Sequence, residues 1–221
     1  MKKSIEGNVF AVRARIEEAA RRAGRDPSKV RLLAATKNRS SEEVTAAVRA
    51  GVDLVGENRV QEFLSKVDEV DGARWHFIGH LQKNKVKYVV GRVSLIHSVD
   101  SAGLARELDK RSGGPGGAVD VLLQVNVSGE ESKQGFRPDE LDEALRSIRG
   151  LEGVNVRGLS TMAPHEDPEK VRSVFRALRE LAGKLDLESP ELSMGMTNDY
   201  EVAVEEGSTI VRIGTAIFEH D

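Results

Sequence analysis

The stretch Val30-Arg31-Leu32-Leu33-Ala34-Ala35-Thr36-Lys37-Asn38-Arg39-Ser40-Ser41-Glu42-Glu43 reads as a strand, a turn and a helix start, and its turn decides between two folds. Residues 30–36 form a β-rich apolar run of the kind buried on both faces of a parallel sheet. Ser40 and Glu43 have capping-box spacing at the head of the next helix, and Gly51 is placed to close it. An open doubly wound sheet usually carries a Gly-x-Gly-x-x-Gly turn at this point to receive a dinucleotide. The segment Ala35-Thr36-Lys37-Asn38-Arg39-Ser40 contains no glycine.

Outward from this unit, short β-rich runs alternate with amphipathic helical stretches over the whole chain. Strands are predicted at 30–36, 52–55, 74–78, 95–97, 119–127, 154–158, 191–193 and 210–213. Eight of them predict an α/β protein, a single (β/α)8 TIM barrel. An extra N-terminal helix precedes it, with Val9, Val12, Ile16, Ala19 and Ala23 on its apolar face. Pro138 and Pro168 suit first helical positions, and Gly150 and Gly207 suit helix ends. The run Ser112-Gly113-Gly114-Pro115-Gly116-Gly117 reads as a flexible helix-to-strand loop, because no shift in composition follows it. Residues 1–221 are accordingly expected to form one domain.

A net charge of -3 gives no electrostatic preference for nucleic acid. Cysteine is absent, which excludes disulfides and thiolate chemistry and suits a reducing compartment. No apolar run approaches membrane-spanning length and Met1-Lys2-Lys3 leads into no apolar segment, so a cytoplasmic protein is expected.

In such a barrel the functional face lies beyond the carboxyl ends of the strands. Lys37 follows the first strand, Asn58 the second, Thr197 the seventh, and Arg212, Gly214 and Thr215 end the eighth. A lysine ending a buried strand is expected to lose hydration, which favours the neutral amine that condenses with an aldehyde; the plainer alternative is a side chain extended into solvent. The loops after strands seven and eight frequently bind phosphate, with backbone N–H groups and a short helix facing the anion. Thr197 and Thr215 add hydroxyls there, and Gly214 lacks the Cβ that would obstruct approach. Arg212 interrupts an apolar strand and needs an acceptor, either a structural partner or a ligand heteroatom. One ligand that engages all three features is pyridoxal 5'-phosphate, through its aldehyde, phosphate and pyridine nitrogen. A phosphorylated sugar bound through Lys37 is the other. His76, His80, His97, His165 and His220 lack metal-site spacing and read as loop or edge residues, so no metal site is expected.

The segments Ala34-Ala35-Thr36-Lys37, Gly56-Glu57-Asn58-Arg59-Val60-Gln61-Glu62, Trp75-His76-Phe77-Ile78-Gly79-His80-Leu81-Gln82-Lys83-Asn84-Lys85, Ser132-Lys133-Gln134-Gly135, Arg157-Gly158-Leu159-Ser160-Thr161-Met162, Leu192-Ser193-Met194-Gly195-Met196 and Val211-Arg212-Ile213-Gly214-Thr215-Ala216-Ile217-Phe218 occur in this order. Together they resemble the pyridoxal phosphate homeostasis proteins, also called the YggS/PROSC family, over nearly the whole chain. The resemblance implies a barrel like the N-terminal domain of alanine racemase. It implies that Lys37 forms the internal aldimine, that Thr197, Gly214 and Thr215 hold the phosphate, that Arg212 addresses the pyridine nitrogen, and that Asn58 lies beside the cofactor. The chain departs from the family pattern in Thr197 for serine, Thr36 for the serine before lysine, and Glu219 for a glycine, the last bearing on the C-terminal tail.

An arginine at the pyridine nitrogen only donates, so it leaves that atom unprotonated and the electron sink weak. Neither Tyr88 nor Tyr200 lies in a segment matching a racemase base. The expectation is a monomeric carrier without robust catalysis and with no catalytic residue assigned. It buffers or delivers pyridoxal phosphate, meets client enzymes transiently, and touches neither nucleic acid nor membrane. Lys133 and Lys83 or Lys85 are candidate secondary amines during transfer. An inefficient amino-acid racemase is the alternative.

Overall fold

The computed structural model describes residues 4–113, 117–130 and 133–219. The expectations attached to Met1-Lys2-Lys3, to Gly114, Pro115 and Gly116, to Ser132 and to His220 lie outside the described residues. Eight parallel strands close into a barrel in sequence order: β1 (Arg31–Ala35), β2 (Leu54–Glu57), β3 (Trp75–Phe77), β4 (Leu95–Val99), β5 (Val119–Gln124), β6 (Val154–Ser160), β7 (Glu191–Ser193) and β8 (Ile210–Ile213). Closure is made by β1 against β8, with Leu33 opposite Arg212 and Ala34 opposite Ile213.

The helices are α1 (Ile5–Arg22), α2 (Ser41–Arg49), α3 (Val60–Lys66), α4 (Ala102–Arg111), α5 (Leu141–Arg149), α6 (Pro168–Ala182), α7 (Tyr200–Glu205) and α8 (Thr215–Phe218). A 3-10 helix, Lys83–Tyr88, stands between β3 and β4. The capping box on α2 forms as expected, with Ser40 Oγ accepting from Glu43 N and Glu43 reaching back to Ser40 N at 2.8 Å. Asp167 caps α6 with Pro168 in its first turn, and Gly150 caps α5. The extra helix α1 lies outside the barrel against α7 and α8: Asn8 Nδ2 donates to Ile217 O of α8 at 2.9 Å, and Arg22 pairs with Glu201 and Glu205 of α7.

Three sequence expectations are corrected. Ala23 is the exposed C-cap of α1, and Ala20 fills the buried face instead. Pro138 does not open α5; it starts a turn, and the helix begins at Leu141 after Glu140 accepts from Arg137 N. β2 runs two residues later than expected, because Gly51 turns the chain at φ 91° and Glu57 extends the strand as a buried, paired carboxylate.

Two cores result. Between sheet and helices lies the large apolar shell that includes Phe63, Phe77, Phe175 and Phe218. Inside the barrel, Leu33, Leu54, Leu95, Leu122 and Ile210 form a separate apolar floor with Ile78 packed on it. At about 25 cal/mol per Å² of apolar surface, a leucine sealed in such a layer contributes roughly 2 kcal/mol. Above this floor the interior becomes polar, and there the site begins.

Candidate functional site

A cavity of about 420 Å³ opens at the carboxyl ends of the strands. Lys37, Asn58, Thr197, Arg212, Gly214 and Thr215 all line it. The topology therefore gathers six positions spread over residues 37–215 into one pocket of a size suited to a small ligand.

Lys37 takes the plainer of its two expected environments, solvent. β1 ends at Ala35, and Lys37 and Asn38 form an exposed turn in which Asn38 takes φ 58°. Asn38 N is held by Glu62 Oε2 at 2.7 Å. The lysine is consequently not dehydrated by burial: the strand ends two residues before it, and Thr36 is the last buried position.

What is buried lies beneath it. Lys66 Nζ donates to Glu57 Oε1 at 2.6 Å and to Thr36 O at 2.9 Å. Thr36 Oγ1 also meets Glu57 Oε1, at 2.7 Å, while Glu57 Oε2 accepts from Asn58 N at 3.0 Å. Glu57 and Lys66 are both buried. One ion pair thus ties down the residue before Lys37 and the backbone of Asn58. Gly79 completes this side, since a Cβ there would stand 2.1 Å from Asn58 O; only a glycine lets the two loops cross.

Across the cavity, Thr197 Oγ1 accepts from Ala216 N at 3.4 Å, which joins the loop after β7 to the first turn of α8. Gly195, at φ 95°, leaves no room for a Cβ, which would lie 2.6 Å from Ala203 Cβ. Asp199 lines the pocket and accepts from Met196 N at 2.6 Å. Burial raises its carboxyl above the ordinary range, against the lowering influence of that N–H and of Arg212.

Arg212 points inward and is buried. Nη1 donates to Ser193 O at 2.8 Å and Ser193 Oγ at 2.6 Å, and Nη2 to Thr161 O at 2.8 Å. Burial lowers its pKa to about 10, with Asp199 opposing, so the guanidinium remains charged at neutral pH. Ser193 in turn meets His97 Nδ1 at 2.8 Å, and His97 Nε2 meets His76 Nδ1 at 2.8 Å. The reading of His76 and His97 as loop or edge residues is overturned: both lie buried on β3 and β4. Burial, with Arg31 and Arg74, lowers His76 to about 3. Burial, with His76, Arg212 and Arg31, holds His97 well below the usual range. Glu57, Lys66, Ser193, His76, His97 and Asp199 are the residues that sequence reasoning missed. Period-two alternation was the available signal for the histidines, since His76 sits between outward Trp75 and Phe77.

The candidate secondary amines stand apart. Among the described residues lining the cavity there is no Lys83, Lys85 or Lys133. Lys133 pairs with Glu130 at 2.8 Å, and Lys85 Nζ stands 5.7 Å from the centre of the Tyr88 ring. His80 pairs with Asp100 at 3.1 Å. Among the described residues, no helix is long and apolar enough to cross a membrane, and no three His, Cys, Asp or Glu side chains gather as a metal site.

The model of the family described as "Alanine racemase, N-terminal domain" matches residues 8–221. A protein of Aquifex aeolicus (strain VF5) named pyridoxal phosphate homeostasis protein is 48% identical over 211 residues, covering 92% of each chain. A solved structure of an unknown protein from Bifidobacterium adolescentis is 42% identical, covers 97% of this chain and 94% of its own, and superposes with a TM-score of 0.90. The structure of PipY from Synechococcus elongatus PCC7942 with PLP bound is 34% identical, covers 92% and 100%, and gives a TM-score of 0.79.

Proposed function

The chain belongs to the pyridoxal phosphate homeostasis protein family, and we propose that it holds pyridoxal 5'-phosphate reversibly at Lys37 and buffers or delivers it without robust catalysis of its own. The observation that carries this reading is that an exposed lysine and a buried, charged arginine line one cavity. The residues present fit the group. Lys37 supplies an amine for the aldehyde, Thr197, Gly214 and Thr215 offer hydroxyl and backbone donors to the phosphate, Arg212 offers N–H to the ring nitrogen, and Asn58 flanks the ring.

When bound, pyridoxal phosphate supplies an aldehyde that exchanges between amines and a ring able to stabilise negative charge on carbon. The second property works best with a proton on the ring nitrogen, and Arg212 does not transfer one: with a pKa of about 10 it keeps its own proton at neutral pH and only donates a hydrogen bond. Neither tyrosine lines the cavity with Lys37; the side chains there that could carry a proton are His165, Glu166, Asp199 and Glu219. Tyr200 is buried in α7, where burial raises its phenol further, and Tyr88 lies in the 3-10 helix. Exposure of Lys37 suits exchange instead, because a competing amine can reach it. As parts of the same proposal, residues 1–221 act as one domain, monomeric and cytoplasmic, meeting client enzymes transiently.

The test is transfer. Loaded protein mixed with an apo pyridoxal-phosphate aminotransferase should restore the aminotransferase's activity while losing its own bound cofactor. Loss of an α-deuterium label from an amino acid, abolished in Lys37→Ala, would instead establish a racemase-like enzyme.

A further inference from the structure

Arg212 carries five N–H bonds, and three are taken by Ser193 O, Ser193 Oγ and Thr161 O. The remaining two have no acceptor among the described residues, and Arg212 lines the cavity. What holds the guanidinium in that attitude continues beyond Ser193, across the barrel interior, to His97 and His76. This chain of four side chains from β8, β7, β4 and β3 lies directly above the apolar floor.

Its direction follows from the donor inventory. Arginine only donates, so Ser193 Oγ accepts from Nη1 and its own hydrogen needs a different acceptor. His97 Nδ1, at 2.8 Å, is the group placed to take it. His97 then carries its proton on Nε2 and donates to His76 Nδ1 at 2.8 Å, so His76 is also the Nε2–H form. The opposite direction would turn His97 Nδ1–H toward Ser193 and strand the buried serine hydrogen. A charged histidine at either place would put a second N–H where an acceptor is required.

We propose that Ser193, His97 and His76 are positioning residues that orient Arg212 through a one-way hydrogen-bond chain, fixing which two of its N–H bonds the ligand meets. The chain acts entirely through Arg212. It gives the ring-nitrogen end of the pocket a preformed, donor-only surface that cannot relay a proton, since both imidazoles are held neutral by burial and by Arg31, Arg74 and Arg212. This inference rests on the pyridoxal phosphate reading for its ligand, but the hydrogen-bond direction belongs to the protein alone.

The test has two arms. Nitrogen-15 NMR of the histidine rings in cofactor-free protein should show His76 and His97 neutral and protonated on Nε2 between about pH 5 and 8. A proton on Nδ1 of His97, or titration in that range, overturns the chain. Pyridoxal phosphate affinity is then measured for His97→Leu, Ser193→Ala and His97→Gln. A glutamine carbonyl can accept from Ser193 while its amide donates to His76, so His97→Gln should bind within about twofold of wild type, whereas the other two lose about tenfold. Equal loss in His97→Leu and His97→Gln reduces the role to packing and overturns the proposal. Wild type that binds no pyridoxal phosphate refutes the function proposed above, while the NMR arm still decides the direction of the chain.

Discussion

The two ends of the cavity are built in opposite ways. At the β1 end, Lys37 is exposed in a turn, and the structure fixes only its backbone, through Thr36, Glu57 and Lys66. At the β8 end, Arg212 is buried, its guanidinium held by three hydrogen bonds and braced through Ser193 by two histidines. A group that must exchange partners needs freedom and access, whereas a group that must present a fixed pattern of donors needs the loss of both. Side-chain entropy separates them: ordering a long cation costs about 2 kcal/mol, a cost already met at Arg212 during folding and still outstanding at Lys37.

The sharpest break of this contrast is Lys37→Ala. It should abolish the borohydride-trapped adduct while leaving the thermal midpoint within about 1 °C of wild type, because the side chain is exposed. A large fall in midpoint would mean that Lys37 is structural after all. Next comes the brace under it. Glu57→Gln leaves the buried Lys66 with only its longer 3.5 Å pairing to the partly exposed Glu62 and should cost about 2–3 kcal/mol in urea unfolding, whereas Glu57→Gln with Lys66→Met should recover much of that loss. At the opposite end, Arg212→Leu abandons three buried acceptors. It should lower stability by about 2–4 kcal/mol and weaken pyridoxal phosphate binding together, so that both measurements move where Lys37→Ala moves one.

Acid separates the two ends more gently. The folded-state values of His76, about 3, and His97, well depressed, lie below the unfolded value of about 6.5. Between those limits the unfolded chain binds more protons than the folded one. The contribution is therefore complete above about pH 6.5 and is lost as pH falls, by about 1.4 kcal/mol per pH unit for each histidine. Urea midpoints at pH 7 and pH 5 should differ less in His76→Gln than in wild type; equal differences would deny the buried pair this role. The smallest effect is expected from Thr197→Val, which removes one hydroxyl and should weaken pyridoxal phosphate binding about fivefold, equivalent to about 1 kcal/mol, with little change in stability.

The fold was legible in sequence because each strand announced itself locally. Residues 191–193 and 210–213 coincide with β7 and β8, and the missing glycines at 35–40 chose a barrel over an open sheet. All six site residues expected at the mouth do share one cavity, since position after a strand is enough to place a residue there. What local pattern does not carry is the partner across space. Glu57 and Lys66 look like ordinary charged residues until α3 folds back over β2, and Arg212 finds Ser193, His97 and His76 only when β8, β7, β4 and β3 enclose a common interior. Lys37 takes the plainer of the two environments that the sequence left open, solvent, and local pattern could not choose between them because the choice turns on where the strand ends, here two residues earlier at Ala35.

The most direct measurement is borohydride reduction of wild type and Lys37→Ala after incubation with pyridoxal phosphate, read by absorption spectrum and then by peptide mass mapping. The account predicts a yellow wild-type protein whose reduced adduct maps to Lys37 and is missing from the variant. An adduct spread over surface lysines, or retained in full by Lys37→Ala, would contradict it.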